Sequence, residues 1–278
     1  MSTVKFVSTH THQPRGGYLP LRSFTRQEFN DGIELSEETQ EDVKLASAIG
    51  TAVDALARVQ MGWQPESAFR ASFDGALVLD RREMVPSAGK IRCTRAREKA
   101  QELLAKIVGL DEASVLSAVR LCCFDAFFRA GIRGSADEVL AMIESTTPST
   151  AAIRNASVMV QRTVELLRSD GLEVNCGLDL TGSYTKNIMA GDCDYVTERT
   201  LWDVKVLRKG FTSAHTLQLL IYYIMGRYSV HPEFGEVERI GLFNPRTNTA
   251  YVIPVANIPT ETLQAVSWDV IGYPNDRW

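Results

Sequence analysis

Three aspartates and one lysine crowd into GDCDYVTERTLWDVKV, residues 191–206. The run divides into two short stretches, 190–196 and 200–207, each with the aromatic and β-branched content of a strand. Side chains alternate between the two faces of a strand. Leu201, Asp203, Lys205 and Leu207 therefore share one face of the second stretch, and Trp202, Val204 and Val206 the other. Asp192, Asp194 and Val196 share a face of the first. A turn centred on Glu198-Arg199 sets Asp194 directly opposite Asp203, with Cβ atoms roughly 4.5–5.5 Å apart. That dipeptide is not a favoured two-residue turn. A four-residue turn keeps the same register, and an odd-length one breaks it.

Two carboxylates that close repel, and a buried charge is costly unless it is paired or bound. A divalent cation relieves the conflict by taking oxygens from both. Lys205 projects from the same face, within reach of a phosphate or an attacking water. This combination suits metal-assisted cleavage of a phosphodiester. The competing reading is an exposed hairpin with a wet polar face. The dense apolar surroundings, and Gly191 three residues before Asp194, weigh against it.

The helix expected over 212–228 is apolar almost all round, yet His215, Gln218 and Tyr222 fall on one stripe, which Gly226 continues. A polar stripe on a buried helix needs partners, and the acidic hairpin is the nearest candidate. Ordinary core hydrogen bonds are the alternative. His215 alone reads as a phosphate or structural contact rather than a metal ligand. Arg208 and Lys209, directly after the second strand, are candidate phosphate contacts. The five basic residues of KIRCTRAREK, 90–99, read as solvated charge at a helix start. His10 and His12, in HTH, would need a third metal ligand that the sequence does not supply.

Other elements must hold this hairpin. Residues 1–35 are polar, with Gly and Pro, and read as an irregular arm. Residues 41–60 read as an amphipathic helix, with Leu45, Ile49, Ala52, Val53 and Leu56 on one face and Ser47, Thr51, Asp54 and Arg58 on the other. Residues 68–80 are mixed and suit a short strand. From 95 to 170 the pattern is helical, broken by Gly, Pro, Ser and Thr signals. Three strands then follow, over 173–182, 188–197 and 200–207. After the 212–228 helix, RIGLFNP and TAYVIPV form a closing hairpin. This order predicts an α/β or α+β fold: one domain, with a central mixed sheet flanked by helices and a helical insertion over 95–170.

The chain has 278 residues, 45% apolar and 23% charged, the composition of a soluble globular protein. A net charge of −4 gives no bulk attraction for nucleic acid, so such a partner must meet a local basic patch. Five cysteines without CxxC spacing argue against a disulfide framework, a zinc site and an iron–sulfur cluster. Reduced thiols, no signal-like leader and a longest apolar run of half a membrane span predict a cytoplasmic protein with no membrane partner. No phosphate-binding Gly loop is visible.

Taken in order, GDCDYV, LWDVKV and TLQLLIYYIMG resemble the PD-(D/E)XK nuclease superfamily, most closely its RecB-like and lambda-exonuclease-like branches. The resemblance covers about residues 173–255. It rests on Gly191/Asp194, on Asp203/Lys205 and on Gln218 followed four residues later by Tyr222. It implies a restriction-endonuclease-like core and a nuclease using Mg²⁺ or Mn²⁺, with DNA expected over RNA. Asp194, Asp203 and the Val204 carbonyl would hold the metal, and Lys205 would position or activate the water. Gln218 would orient the lysine or the substrate, with Tyr222, His215, Arg208 and Lys209 on the substrate side. The family also carries an acid or His on an earlier helix. Asp54, in GTAVDAL, matches that role, and Glu165 competes for it. ASFDGALV, 71–78, echoes a Ser-x-Asp-Gly motif of the family, but no Asp/Glu-x-Lys strand follows it. A nucleic-acid-binding module on an inactive nuclease fold is the alternative. So is a phage-defence nuclease switched on by a partner or ligand, with 95–170 as the regulatory or oligomerising part.

Overall fold

The computed structural model describes residues 2–82, 94–125, 135–171 and 173–274. The fold is mixed α/β, a six-stranded mixed sheet with flanking helices. The chain divides into two compact units, one of residues 1–32 and 165–278 and one of residues 33–164. The helical part thus begins well before residue 95 and takes the 41–60 segment with it.

The helical unit holds α2 (Gln40–Lys44), α3 (Ala46–Gln60), α4 (Pro65–Ala68), α5 (Arg70–Arg82), α6 (Arg95–Ala105), α7 (Glu112–Cys122) and α8 (Ala136–Ser145). The helix α9 (Thr150–Asp170) runs across the boundary between the units. The strand expected over 68–80 is the helix α5, and Ser72, Asp74 and Gly75 of the family-like motif lie on it. Gly75 disguises that helix, because its role is close packing. A Cβ there would stand 2.0 Å from the Phe124 carbonyl oxygen. Residues 90–93 of the basic run, Cys93 included, lie outside the described residues.

The sheet order is β1-β6-β5-β4-β3-β2, built from β1 (Thr25–Glu28), β2 (Val174–Cys176), β3 (Tyr195–Thr197), β4 (Thr200–Val204), β5 (Arg239–Asn244) and β6 (Thr249–Pro254). All neighbours run antiparallel except β4 and β5. The crossover between that parallel pair is α10 (Ser213–Gly226), which packs on both strands. Thr212 caps α10 in a reciprocal box with His215, and every residue from Thr216 to Gly226 is buried. The core around it includes Leu217, Leu220, Ile221, Ile224, Val196, Leu201, Ile240 and Leu242. Burying each such side chain is worth about 1.5–3 kcal/mol, so the helix is fixed firmly against the sheet face that carries the acids.

The arm over 1–35 is more regular than expected. The short helix α1 (Val4–His10) is capped by Thr3 and packs against α10. β1 pairs with β6 along the sheet edge. All four β1 residues are exposed, and Arg26 pairs with Glu28. A charged edge strand guards against unwanted pairing and shows no apolar alternation, which hides it in the sequence. Among the described residues no helix is long and apolar enough to cross a membrane.

Candidate active site

The hairpin register is the one expected. Tyr195 pairs with Trp202 and Val196 with Leu201, and the same register carried one step outward sets Asp194 beside Asp203. Side chains of 194, 196, 201 and 203 thus share the face covered by α10. Val196 and Leu201 join its core, and the acids lie at the open end of that face.

There the three side chains converge. Lys205 Nζ donates to Asp203 Oδ1 at 2.5 Å and stands 3.5 Å from Asp194 Oδ2. Asp194 Oδ2 also accepts the Val204 backbone N–H at 2.8 Å, which brings the peptide of a proposed ligand beside a proposed ligand side chain. Asp203 is fully buried, and among the described residues its Oδ2 has no hydrogen-bond partner. Burial pushes its carboxyl up to about 7; Lys205 pulls against that rise and the Asp194 charge adds to it. Lys205 therefore answers only half of the charge conflict.

The floor of the site is α10. Gln218 Nε2 donates to the Tyr222 hydroxyl at 2.8 Å, and both residues are buried. Burial, with the charges of Asp203, Asp194 and Asp192, holds the Tyr222 hydroxyl well above its ordinary value. Tyr222 is thus a neutral, fixed prop rather than an exposed substrate contact. His215 is half-buried at the start of the helix. Its Nδ1 accepts the Thr212 N–H at 3.0 Å, and its ring meets Phe211 edge-on. Burial, Lys205 and Lys5 lower its pKa to about 4. Near neutral pH the ring is uncharged, and Nε2 carries the proton. Arg208 and Lys209 are exposed on the loop between β4 and α10.

Asp54 lies on α3 in the helical unit, where Arg58 Nη2 stands 2.9 Å from its carboxylate, and Glu165 is exposed on α9. Among the described residues no three His, Cys, Asp or Glu side chains converge as a metal cage. His10 sits on α1 rather than on a strand. The orphaned Asp203 oxygen nonetheless suits a divalent ion, with Asp194 as second carboxylate. A hard ion such as Mg²⁺ would complete its shell with further oxygen ligands.

A second cluster lies on the opposite face of the hairpin. Asp170, at the end of α9, accepts from Thr197 Oγ1 at 2.7 Å, Trp202 Nε1 at 2.9 Å and Arg239 Nη2 at 2.9 Å. Arg239 Nε also donates to the Thr200 hydroxyl. Gly241, the cross-strand partner of Trp202, makes room for the indole, since a Cβ there would stand 2.4 Å from the ring. The only sequence signal for this cluster is a Trp on an otherwise aliphatic strand, whose N–H needs a buried acceptor.

Comparisons with family models, with curated proteins and with solved structures found no match.

Proposed function

We propose that the chain is a metal-dependent nuclease of the PD-(D/E)XK kind, hydrolysing phosphodiester bonds in nucleic acid, DNA before RNA, with Mg²⁺ or Mn²⁺. The observation that carries this reading is the buried, unpartnered Asp203 Oδ2 beside Asp194 and Lys205. A divalent cation at these oxygens would acidify its bound water and polarise the phosphoryl group. Asp194 and Asp203 would hold it, Asp194 being fixed through the Val204 N–H. Lys205, freed from full duty as counter-ion, would hold a non-bridging phosphoryl oxygen as negative charge grows there. The neutral His215 offers its Nε2–H to the phosphate, and Arg208 and Lys209 meet the neighbouring backbone. Gln218 and Tyr222 act as positioning residues by keeping the floor rigid.

Asp203→Ala and Lys205→Ala should each abolish metal-dependent cleavage of oligonucleotides while the circular dichroism spectrum stays that of the wild type. Cleavage unchanged in both variants refutes the assignment. The two-carboxylate count among the described residues favours a second reading, a module that binds nucleic acid without cutting it. That reading predicts no cleavage with any divalent ion tested.

A further inference from the structure

The N-terminal segment packs on α10 and on the chain that leads into this site. Met189 N–H donates to the Ser2 carbonyl at 2.9 Å and Val4 N–H to the Ala190 carbonyl at 3.0 Å, so the start of α1 is tied to the strand that leads into Asp194. Val4 fills the space that Gly191 leaves, since a Cβ on Gly191 would stand 2.5 Å from the Val4 side chain. The Gly191-x-x-Asp194 spacing thus has a mechanical reason. Further along, Gly17 packs on Ser213, the first residue of α10, where a Cβ would stand 2.8 Å away. Its backbone has φ +88°, which favours glycine. The segment is therefore pinned at both ends, to the chain that leads into Asp194 and to the first residue of α10.

Between those pins it presents a particular chemistry. Lys5 and Arg15 are exposed, and the Lys5 charge is felt at His215. Phe6, half-exposed, stacks on His10 with ring centroids 4.1 Å apart and planes 19° from parallel. His10 Nδ1 lies 2.8 Å from the Phe6 carbonyl, which holds the imidazole in place. Lys5 and Arg15 give this segment the exposed positive charge that an acidic chain needs to meet a polyanion. The stacked pair supplies a flat π-surface, which only an unstacked base can use.

We propose that residues 3–17 are the strand-binding element of this site and that they grip single-stranded nucleic acid, Lys5 and Arg15 on phosphates and Phe6 under a base. The inference rests on the nuclease reading for the identity of the anion, and its test is binding rather than cleavage. The full chain, in EDTA, is titrated against a labelled single-stranded oligodeoxynucleotide and its duplex, with anisotropy followed over a salt series. The single strand should bind tighter than the duplex. Lys5→Gln with Arg15→Gln should weaken single-strand binding about tenfold or more at low salt and flatten the log–log salt slope by roughly 1.4, two contacts' worth. Phe6→Ala should weaken it about tenfold with the slope unchanged. Variants that bind as the wild type, or a duplex that binds tighter while Phe6→Ala is silent, overturn the proposal. Weakened binding in a chain that cuts nothing with any metal would keep this inference and sink the nuclease reading. Unaltered binding by the variants of a chain that does cut would do the reverse.

Discussion

On one face of the β3–β4 hairpin, Asp170 meets a hydroxyl, an indole N–H and a guanidinium, so both of its oxygens are engaged. On the other face, Asp203 is buried more deeply, yet one oxygen has a lysine and the other has nothing. The same few residues of strand serve both clusters, Trp202 reaching one and its neighbour Asp203 the other. The first cluster ties the hairpin to the end of α9. The second leaves a cost standing in the fold, as a site does when a missing ligand completes it. The Asp170 carboxylate is satisfied by the protein, and the Asp203 carboxylate is left partly unsatisfied.

Substitution on the two faces should therefore act in opposite directions. The largest effect on stability is expected from Asp170→Ala, which strands the buried Trp202 N–H and takes one acceptor from the part-exposed Arg239 guanidinium. It should cost about 2 kcal/mol in urea unfolding, while the folded fraction keeps its cleavage activity. An Asp170→Ala variant as stable as the wild type would mean that the cluster holds nothing together.

Asp203→Asn should do the reverse. Its carboxyl is protonated in both states below the ordinary carboxylate range, near pH 4. Because the folded value is raised to about 7, ionisation opposes folding increasingly as pH climbs from about 4 to 7 and by a constant amount above that. Without metal, the variant should be more stable than the wild type at pH 8. The gap should close toward pH 4. Paired melting curves across that range check this, and a gap that stays flat with pH contradicts it.

Tyr222→Phe should give the smallest change. It removes the acceptor of the Gln218 amide inside the floor and should cost about 1 kcal/mol. Because Tyr222 does not touch the substrate in this account, cleavage should slow through a lower kcat with little change in KM. A rise in KM alone would instead make the hydroxyl a substrate contact.

Much of the hairpin was legible before any coordinates. Strict alternation sets which side chains share a face, and the facing of Asp194 and Asp203 follows from an even-length turn at Glu198-Arg199, the register that β3 and β4 adopt. The buried helix α10 was legible from its apolar length and its Thr212 cap. Asp170 was not, because its three partners sit on separate strands and meet it only in the fold. The unmatched polar strand β1 and the seven-residue helix α1 were not either. One lacks an apolar face, and the other is too short to display a period. Asp54 and Arg58 share a helix face already in the sequence, and on α3 they pair at 2.9 Å.

Isothermal titration calorimetry with Mn²⁺, on the wild type and on Asp203→Asn, tests the central claim most directly. A saturable site in the wild type that disappears in the variant is the predicted result. A wild type that takes up no ion, or a site that survives the loss of the Asp203 charge, would contradict the account.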